Sequence, residues 1–365
     1  MARCELCRRS GVYISRELGL CLECIRVEPM ESLGLAQAVH GRSRSQFGLP
    51  EAAPDDPEGV PCNLCANRCR ITEGGLGYCG VRVNRHGRLA GASTRAGNLS
   101  WYHDPLPTNC VASHVCAGET GAGFPHFAHR PGPEIGFTNL AVFFRACNFN
   151  CLYCQNWHFR EDSIRFRPVA VDDLVADVVE RTACICYFGG DPAPQLPFAL
   201  AASRRARERR SGSILRICWE TNGAMNAAYL DRMMDLAVES GGCVKFDLKA
   251  WDPGLHRVLT GAANDATLEN LARAAGWIAR RPVPPVLTAS TLMVPGYIDE
   301  LEIQGIAGFI AKLNPDIPYS LLAFHPQFRM ADLPVTPRSL AHRCLAAARQ
   351  AGLKRVFIGN EHLLR

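Results

Sequence analysis

Seven short, β-rich apolar runs recur through the larger, C-terminal part of the chain: Leu140–Phe144, Cys184–Phe188, Leu215–Glu220, Cys243–Leu248, Val286–Val294, Tyr319–Phe324 and Arg355–Ile358. Between them lie segments with helical spacing, Val171–Arg181, Phe198–Arg210, Asn226–Ser240, Ala266–Arg280, Leu301–Leu313 and Ser339–Ala351. Spacers of roughly 20 to 40 residues are long enough for right-handed β-α-β crossovers. The runs are apolar on both faces, as strands of a parallel sheet covered by helices must be. Roughly six or seven such units fall short of eight-fold closure. The pattern therefore predicts an α/β fold, a partial (β/α)6-like barrel of the TIM type, over residues 135–365.

Upstream the chain changes character. Residues 1–28 carry two C-x2-C pairs, Cys4/Cys7 and Cys21/Cys24. Knuckles about 13 residues apart have the layout of a tetrahedral Cys4 zinc site. A segment of roughly 30 residues cannot bury enough apolar surface to fold without such a staple. Residues 29–59 read as a linker. Met30 to His40 has helical character, whereas Gly41–Gln46 and the proline-rich Leu49–Gly59 are polar and expected to be mobile. Residues 60–100 form a second cysteine-rich module, with Cys62, Cys65, Cys69 and Cys79 as a metal set that suits zinc or an iron–sulfur cluster. Residues 101–134 are a connecting insertion whose stretch Pro107–Ala117, with Cys110 and Cys116, fits no element pattern. Cys184, Cys186, Cys218 and Cys243 sit inside strand runs and read as buried apolar side chains.

In barrels of this kind the chemistry sits at the carboxyl ends of the strands, and polar residues cluster there. The first run leads into Cys147, Cys151 and Cys154, spaced C-x3-C-x2-C. Three thiolates from one tight loop can hold three irons of a cubane cluster and leave the fourth iron open for chemistry. The second run ends in Gly189-Gly190-Asp191, where glycine lets backbone approach a ligand closely. The third ends in Glu220-Thr-Asn-Gly223 and the fourth in Asp247-Leu-Lys249. Asp247 and Lys249 lie two apart, so both point the same way from the strand; a simple ion pair would also account for them. The sixth run ends in Phe324-His-Pro326.

This combination resembles the radical S-adenosylmethionine (SAM) superfamily, in which an aromatic residue, here Tyr153, precedes the last loop cysteine. Glu220-Thr-Asn-Gly223, Asp247-Leu-Lys249, the segment Asp252–Gly261, Val294-Pro-Gly-Tyr-Ile298 and Phe324-His-Pro326 are similar to motifs of glycyl-radical-enzyme activases, the group that includes pyruvate formate-lyase activating enzyme. Cys62-Asn-Leu-Cys65, Cys69 and Gly77-Tyr-Cys-Gly-Val-Arg82 extend the resemblance to AmmeMemoRadiSam-type proteins. The resemblance, over residues 60–365, implies an oxidoreductase. A 4Fe-4S cluster on Cys147, Cys151 and Cys154 would cleave SAM reductively to methionine and a 5'-deoxyadenosyl radical, which abstracts hydrogen from a substrate. It implies SAM contacts at Tyr153, Gly189, Gly190, Asp191, Glu220, Asn222, Asp247, Lys249 and His325, and a reductant such as flavodoxin or ferredoxin as partner. It leaves the substrate open. An activase takes hydrogen from a glycine of a partner glycyl-radical enzyme; the alternative is direct modification of a small molecule, protein or RNA. A non-catalytic metal-binding interaction protein is a third reading, and the intact cluster loop beside intact strand-end motifs argues against it.

Eighteen cysteines, mostly in C-x2-C pairs, point to metal ligation in a reducing cytoplasm rather than to a disulfide framework. The first residues contain no apolar core of a signal peptide, and no uninterrupted apolar stretch of about 18 residues predicts a membrane span. A net charge of +5 leaves an acidic or nucleic-acid partner open without arguing for one. The dense basic run Arg204–Arg210 reads as the solvated face of a helix.

Overall fold

The computed structural model describes residues 1–165 and 167–365. Its centre is an eight-stranded sheet built from β1 (Leu99–Pro105), β2 (Thr138–Phe144), β3 (Thr182–Phe188), β4 (Arg216–Thr221), β5 (Val244–Asp247), β6 (Leu287–Met293), β7 (Tyr319–Ala323) and β8 (Val356–Gly359). Each strand neighbours the next one in the chain, and β2 to β8 are all parallel. β1 joins antiparallel to β2, so β1 and β8 are the two free edges. This is a partial barrel of the TIM type, and its seven parallel strands fall on the seven apolar runs.

The principal helices are α1 (Pro29–Ser45), α2 (Leu196–Arg209), α3 (Ala227–Ser240), α4 (Pro253–Thr260), α5 (Asp265–Ala275), α6 (Glu300–Leu313) and α7 (Arg338–Gln350). Asp252 caps α4 by accepting from the Leu255 N–H at 2.7 Å, and Gly261 ends it at φ 72°, a conformation that favours glycine. The basic residues of α2 are solvated or paired outward, with Arg205 on Asp172 and Arg207 on Glu239. Between sheet and helices lie fully buried rings such as Tyr187, Trp219 and Phe246, each contributing about 1.5–3 kcal/mol of burial. Among the described residues, no helix is long and apolar enough to cross a membrane.

Four features differ from the sequence reading or extend it. The strand β1 comes out of the end of the second module and the start of the connecting insertion; its residues after Leu99 are partly or fully exposed, as suits an edge strand. Helix α1 runs on through the polar residues 41–45, expected to be mobile. There Arg44 is buried, with its guanidinium 3.4 Å from the Tyr78 ring and bonded to the carbonyls of Pro50 and Tyr78. The helix expected over 171–181 ends at Ala176. Finally, the stretch 106–118 spans the free edges of the barrel. Thr108 bonds Asp104 of β1, the Val111 carbonyl accepts from Ser320 Oγ of β7 at 2.9 Å, and His114 stacks on Phe357 of β8 at 4.5 Å.

Both upstream modules dock on strand-end turns of the barrel. Tyr297 OH accepts from the Ser15 N–H and donates to the Leu20 carbonyl, each at 2.9 Å, which ties residues 1–28 to the turn after β6. The second module pairs around Cys65 with the turn after β4, through Ala66 N–H to Ala224 O and Asn226 N–H to Leu64 O, both 2.9 Å.

Candidate active site

The loop after β2 is clamped before any ligand is considered. The Asn150 and Leu152 N–H groups donate to Thr260 O and Leu259 O at the end of α4, at 2.8 and 3.0 Å. Asn150 Nδ2 donates to His40 Nδ1 at 2.9 Å, and His40 Nε2 in turn donates to Val258 O at 3.0 Å. Arg160 Nε donates to Asn150 Oδ1 at 3.1 Å. The loop is therefore wedged between α1 and α4. Burial drives His40 down to about 4, consistent with the neutral tautomer those two bonds require.

Cys147, Cys151 and Cys154 line one cavity with Tyr153, Gly189, Gly190, Asp191, Glu220, Asn222, Asp247 and Lys249. Eight of the nine residues expected to face SAM thus come together with the three thiols. His325 does not: its side chain is exposed, with Gln327 Nε2 at 3.4 Å from its ring. The cavity also takes in Gln155, Asn156, Arg160, Ser290 and Lys245, which the sequence reading passed over as site residues. Lys245 had a signal. It precedes Asp247 by two, so residues 245, 247 and 249 share the inward face of β5 and the turn after it.

The individual roles differ. Gly190 has φ 51°, and a Cβ there would lie 2.2 Å from Ala146 O and 2.4 Å from Phe144 O, so the turn presses on the start of the cysteine loop. Asp191 is already used internally: its oxygens accept from Ala193 N–H at 2.8 Å, Asn222 N–H at 2.7 Å and Thr221 Oγ1. Burial raises Asp191 to about 6 against the pull of those bonds. It holds the turn after β4 in place. Asn222 pairs with Asn148 Oδ1 at 2.8 Å and reaches Cys147 Sγ at 3.9 Å, while the Phe149 N–H donates to the same sulfur at 3.3 Å. Lys249 pairs with Asp247, and Glu220 pairs with Lys245 at 3.0 Å.

The donor set fits a cluster and a polar cofactor. Burial pushes the Cys147 thiol well up and Cys151 to about 12, so these buried sulfurs hold protons until a metal centre supplies compensating charge. Tyr153 OH and Asp247 Oδ1 are buried on this cavity without a hydrogen-bond partner in the protein, an expensive condition unless a ligand satisfies them.

Residues 141–303, from inside β2 to the first turn of α6, match the family model of the radical SAM superfamily. Those residues are thus similar to a radical SAM domain. The radical SAM family implies a 4Fe-4S cluster and SAM. Over 317 residues the chain is 27% identical to an uncharacterized protein of Methanocaldococcus jannaschii, covering 84% of this chain and 82% of that protein. Over 162 residues it is 33% identical to the isethionate sulfite-lyase activating enzyme of Oleidesulfovibrio alaskensis, covering 42% of this chain and 48%, about half, of that enzyme. Among solved structures, a domain of pyruvate-formate lyase-activating enzyme from Bacteroides vulgatus matches 48% of this chain and 98% of its own length at 20% identity, with a TM-score of 0.39.

The cysteine sets outside the radical SAM loop are unlike one another. Among the described residues, Cys4, Cys7, Cys21 and Cys24 are the group whose ligand atoms all fall within 4.8 Å of one another. Burial works to raise Cys4, but N–H groups of Cys7, Cys21 and Leu6 outweigh it and hold the thiol near about 7. Cys62, Cys65, Cys69 and Cys79 do not converge to that limit. Cys62 and Cys69 are buried with Tyr78, whose N–H reaches Cys69 Sγ at 3.5 Å.

Proposed function

We propose that this protein binds a 4Fe-4S cluster on Cys147, Cys151 and Cys154 and cleaves SAM reductively. The observation that carries the reading is that those three thiols line a single cavity with the glycine turn, Asp247 and Lys249 at the carboxyl ends of the strands. When bound, the cluster and SAM supply a 5'-deoxyadenosyl radical that takes a hydrogen atom from a substrate. The protein's own residues do the rest. Gly189 and Gly190 open backbone for close approach, Asp247 and Lys249 face the cofactor's polar groups, and Asn222 and the Phe149 N–H stabilise the Cys147 sulfur as a thiolate. Asp191 positions Asn222, and His40 and Arg160 fix the loop through Asn150. Cys4, Cys7, Cys21 and Cys24 are read as a zinc site, because four thiols aimed at one point suit a tetrahedral ion.

Two substrate readings stand. The alignment with an activating enzyme supports hydrogen abstraction from a glycine of a partner enzyme. The insertion 106–118 across the barrel edges, which gives this protein a different surface there, supports direct modification of another substrate. Anaerobic reconstitution with SAM and a flavodoxin- or ferredoxin-type reductant tests the chemistry. 5'-Deoxyadenosine should form, and Cys147→Ala/Cys151→Ala/Cys154→Ala should reduce it to background. Product formation by that triple variant would sink the reading. Stoichiometry separates the substrates. An activase stops after about one SAM per radical site and leaves a partner glycyl radical visible by electron paramagnetic resonance, whereas a direct modifier turns over repeatedly.

A further inference from the structure

Below the SAM-facing residues, on the side of the strands' amino ends, lies a second cavity. It shares Phe188, Glu220 and Lys245 with the first. Barrel interiors at this level are ordinarily filled by branched apolar side chains. Here Cys184 and Cys186 of β3, Cys218 of β4 and Cys243 just before β5 all line the cavity, joined by Cys110 and Cys116 from the insertion. Cys186 and Cys218 are register partners on neighbouring strands. Two of the six thiols are engaged with the wall: Cys184 donates to Asn139 Oδ1 at 3.3 Å, and Cys243 has Val244 O and Thr288 Oγ1 at 3.8 and 3.7 Å. Cys110 and Cys186 flank the Lys245 ammonium, at 3.3 and 3.1 Å from Nζ, with Glu220 as its third partner; Cys110 Sγ also lies 3.9 Å from Glu220 Oε1 and accepts from the Ala112 N–H at 3.4 Å. That ammonium is almost wholly buried, at 3% side-chain exposure. Glu220 balances the ammonium on one side, and on the other two sides sulfur carrying negative charge would be a better acceptor than a neutral thiol.

From this arrangement we infer that Cys110, Cys116, Cys186 and Cys218 bind an iron–sulfur cluster in the barrel lumen, separate from the one on the loop after β2. Among the described residues, only the N-terminal quartet aims its ligand atoms at one point within 4.8 Å. The lumen thiols line one cavity without such convergence, and the ligands of a polynuclear centre are likewise spread, since each binds a different iron. Lys245 supplies a fixed positive charge to balance thiolates and sulfide, the kind of second-shell partner that tunes such centres. The insertion contributes half of the ligand set, which gives the segment 106–118 a role beyond bridging the barrel edges. The site lies one layer of side chains beneath Asp247 and Lys249, next to whatever substrate enters from the SAM side.

The test counts iron and acid-labile sulfide in the anaerobically reconstituted full chain. Cys110→Ser/Cys116→Ser changes only the insertion and leaves every barrel strand intact. It should lower both counts by one cluster's worth, while the SAM-induced spectral change of the loop cluster persists. In a second background, Cys147→Ala/Cys151→Ala/Cys154→Ala together with Cys62→Ser/Cys65→Ser/Cys69→Ser, a cluster absorption should remain and should vanish on adding Cys186→Ser/Cys218→Ser. Unchanged iron and sulfide in Cys110→Ser/Cys116→Ser would overturn the inference. So would a folded second-background protein with no cluster absorption, or one whose absorption survives Cys186→Ser/Cys218→Ser. None of these outcomes depends on SAM cleavage, so the inference can fail while the proposed function stands, and the reverse.

Discussion

The N-terminal quartet and the triad after β2 use the same side chain to opposite ends. Cys4, Cys7, Cys21 and Cys24 point at one another within 4.8 Å, inside a segment with almost no core of its own. Cys147, Cys151 and Cys154 line an open cavity, in a loop held by backbone bonds to α4 and by the His40–Asn150–Arg160 chain. In the first region the ligand would make the structure; in the second the structure is already made and keeps one side free for chemistry. Convergence thus marks a structural ion, and divergence around a space marks a centre with work to do.

The sharpest way to break this comparison is to remove one region and watch the other. Cys7→Ser/Cys24→Ser should cost the full chain one zinc and lower its thermal midpoint sharply, since a structural zinc supplies about 10–16 kcal/mol to a small metal module. 5'-Deoxyadenosine formation should persist, because the cavity thiols lie elsewhere. A variant with normal zinc content and no SAM cleavage would reverse the assignment of roles. Next in size, Asp247→Ala or Lys249→Ala should weaken SAM binding by a factor of about 10 to 150, the loss of one charge-assisted bond of about 1.5–3 kcal/mol, with the cluster still assembled. Equal SAM affinity in both variants and the parent would move the cofactor away from β5.

The smallest effect concerns the clamp. His40 titrates near about 4 in the folded chain, below its ordinary 6.5, because burial disfavours the cation. The unfolded chain therefore binds more protons between these values, and stability falls as pH drops through that window. His40 alone should contribute a loss of about 2 kcal/mol between pH 7 and pH 5. His40→Gln should flatten that part of the stability–pH curve measured by denaturant unfolding. His256, also near about 4 through burial, should leave a residual slope of the same sign.

The barrel was legible because strands covered on both sides are apolar throughout, and these short runs alternate with segments of helical spacing. The strand-end residues were legible for the same reason: a polar residue straight after such a run has one place to go. What escaped notice did so on physical grounds. A buried cysteine in a strand reads as a small apolar side chain, so β3 and β4 gave no hint that their thiols face a shared cavity with Cys110 and Lys245. Arg44 looks like linker composition, and its burial depends on Tyr78, 34 residues away. The placement of His325 depends on how the chain leaves β7, which spacing alone does not determine.

The insertion that spans the barrel edges has a kinetic meaning. Sheet strands are held by ladders of backbone bonds, but residues 106–118 reach β7 and β8 through one side-chain bond at Val111, one ring stack at His114 and a small apolar cluster of Ala112 and Val115 with Phe357. Contacts of that kind are worth about 1 kcal/mol each. Excursions that free this segment should therefore be far more frequent than global unfolding. In hydrogen exchange, the amides of 108–116 should trade before those of β3 to β6. The barrel would then have a slow wall and a fast door, and the rate at which the door opens would bound how quickly anything built from its cysteines can be loaded or lost.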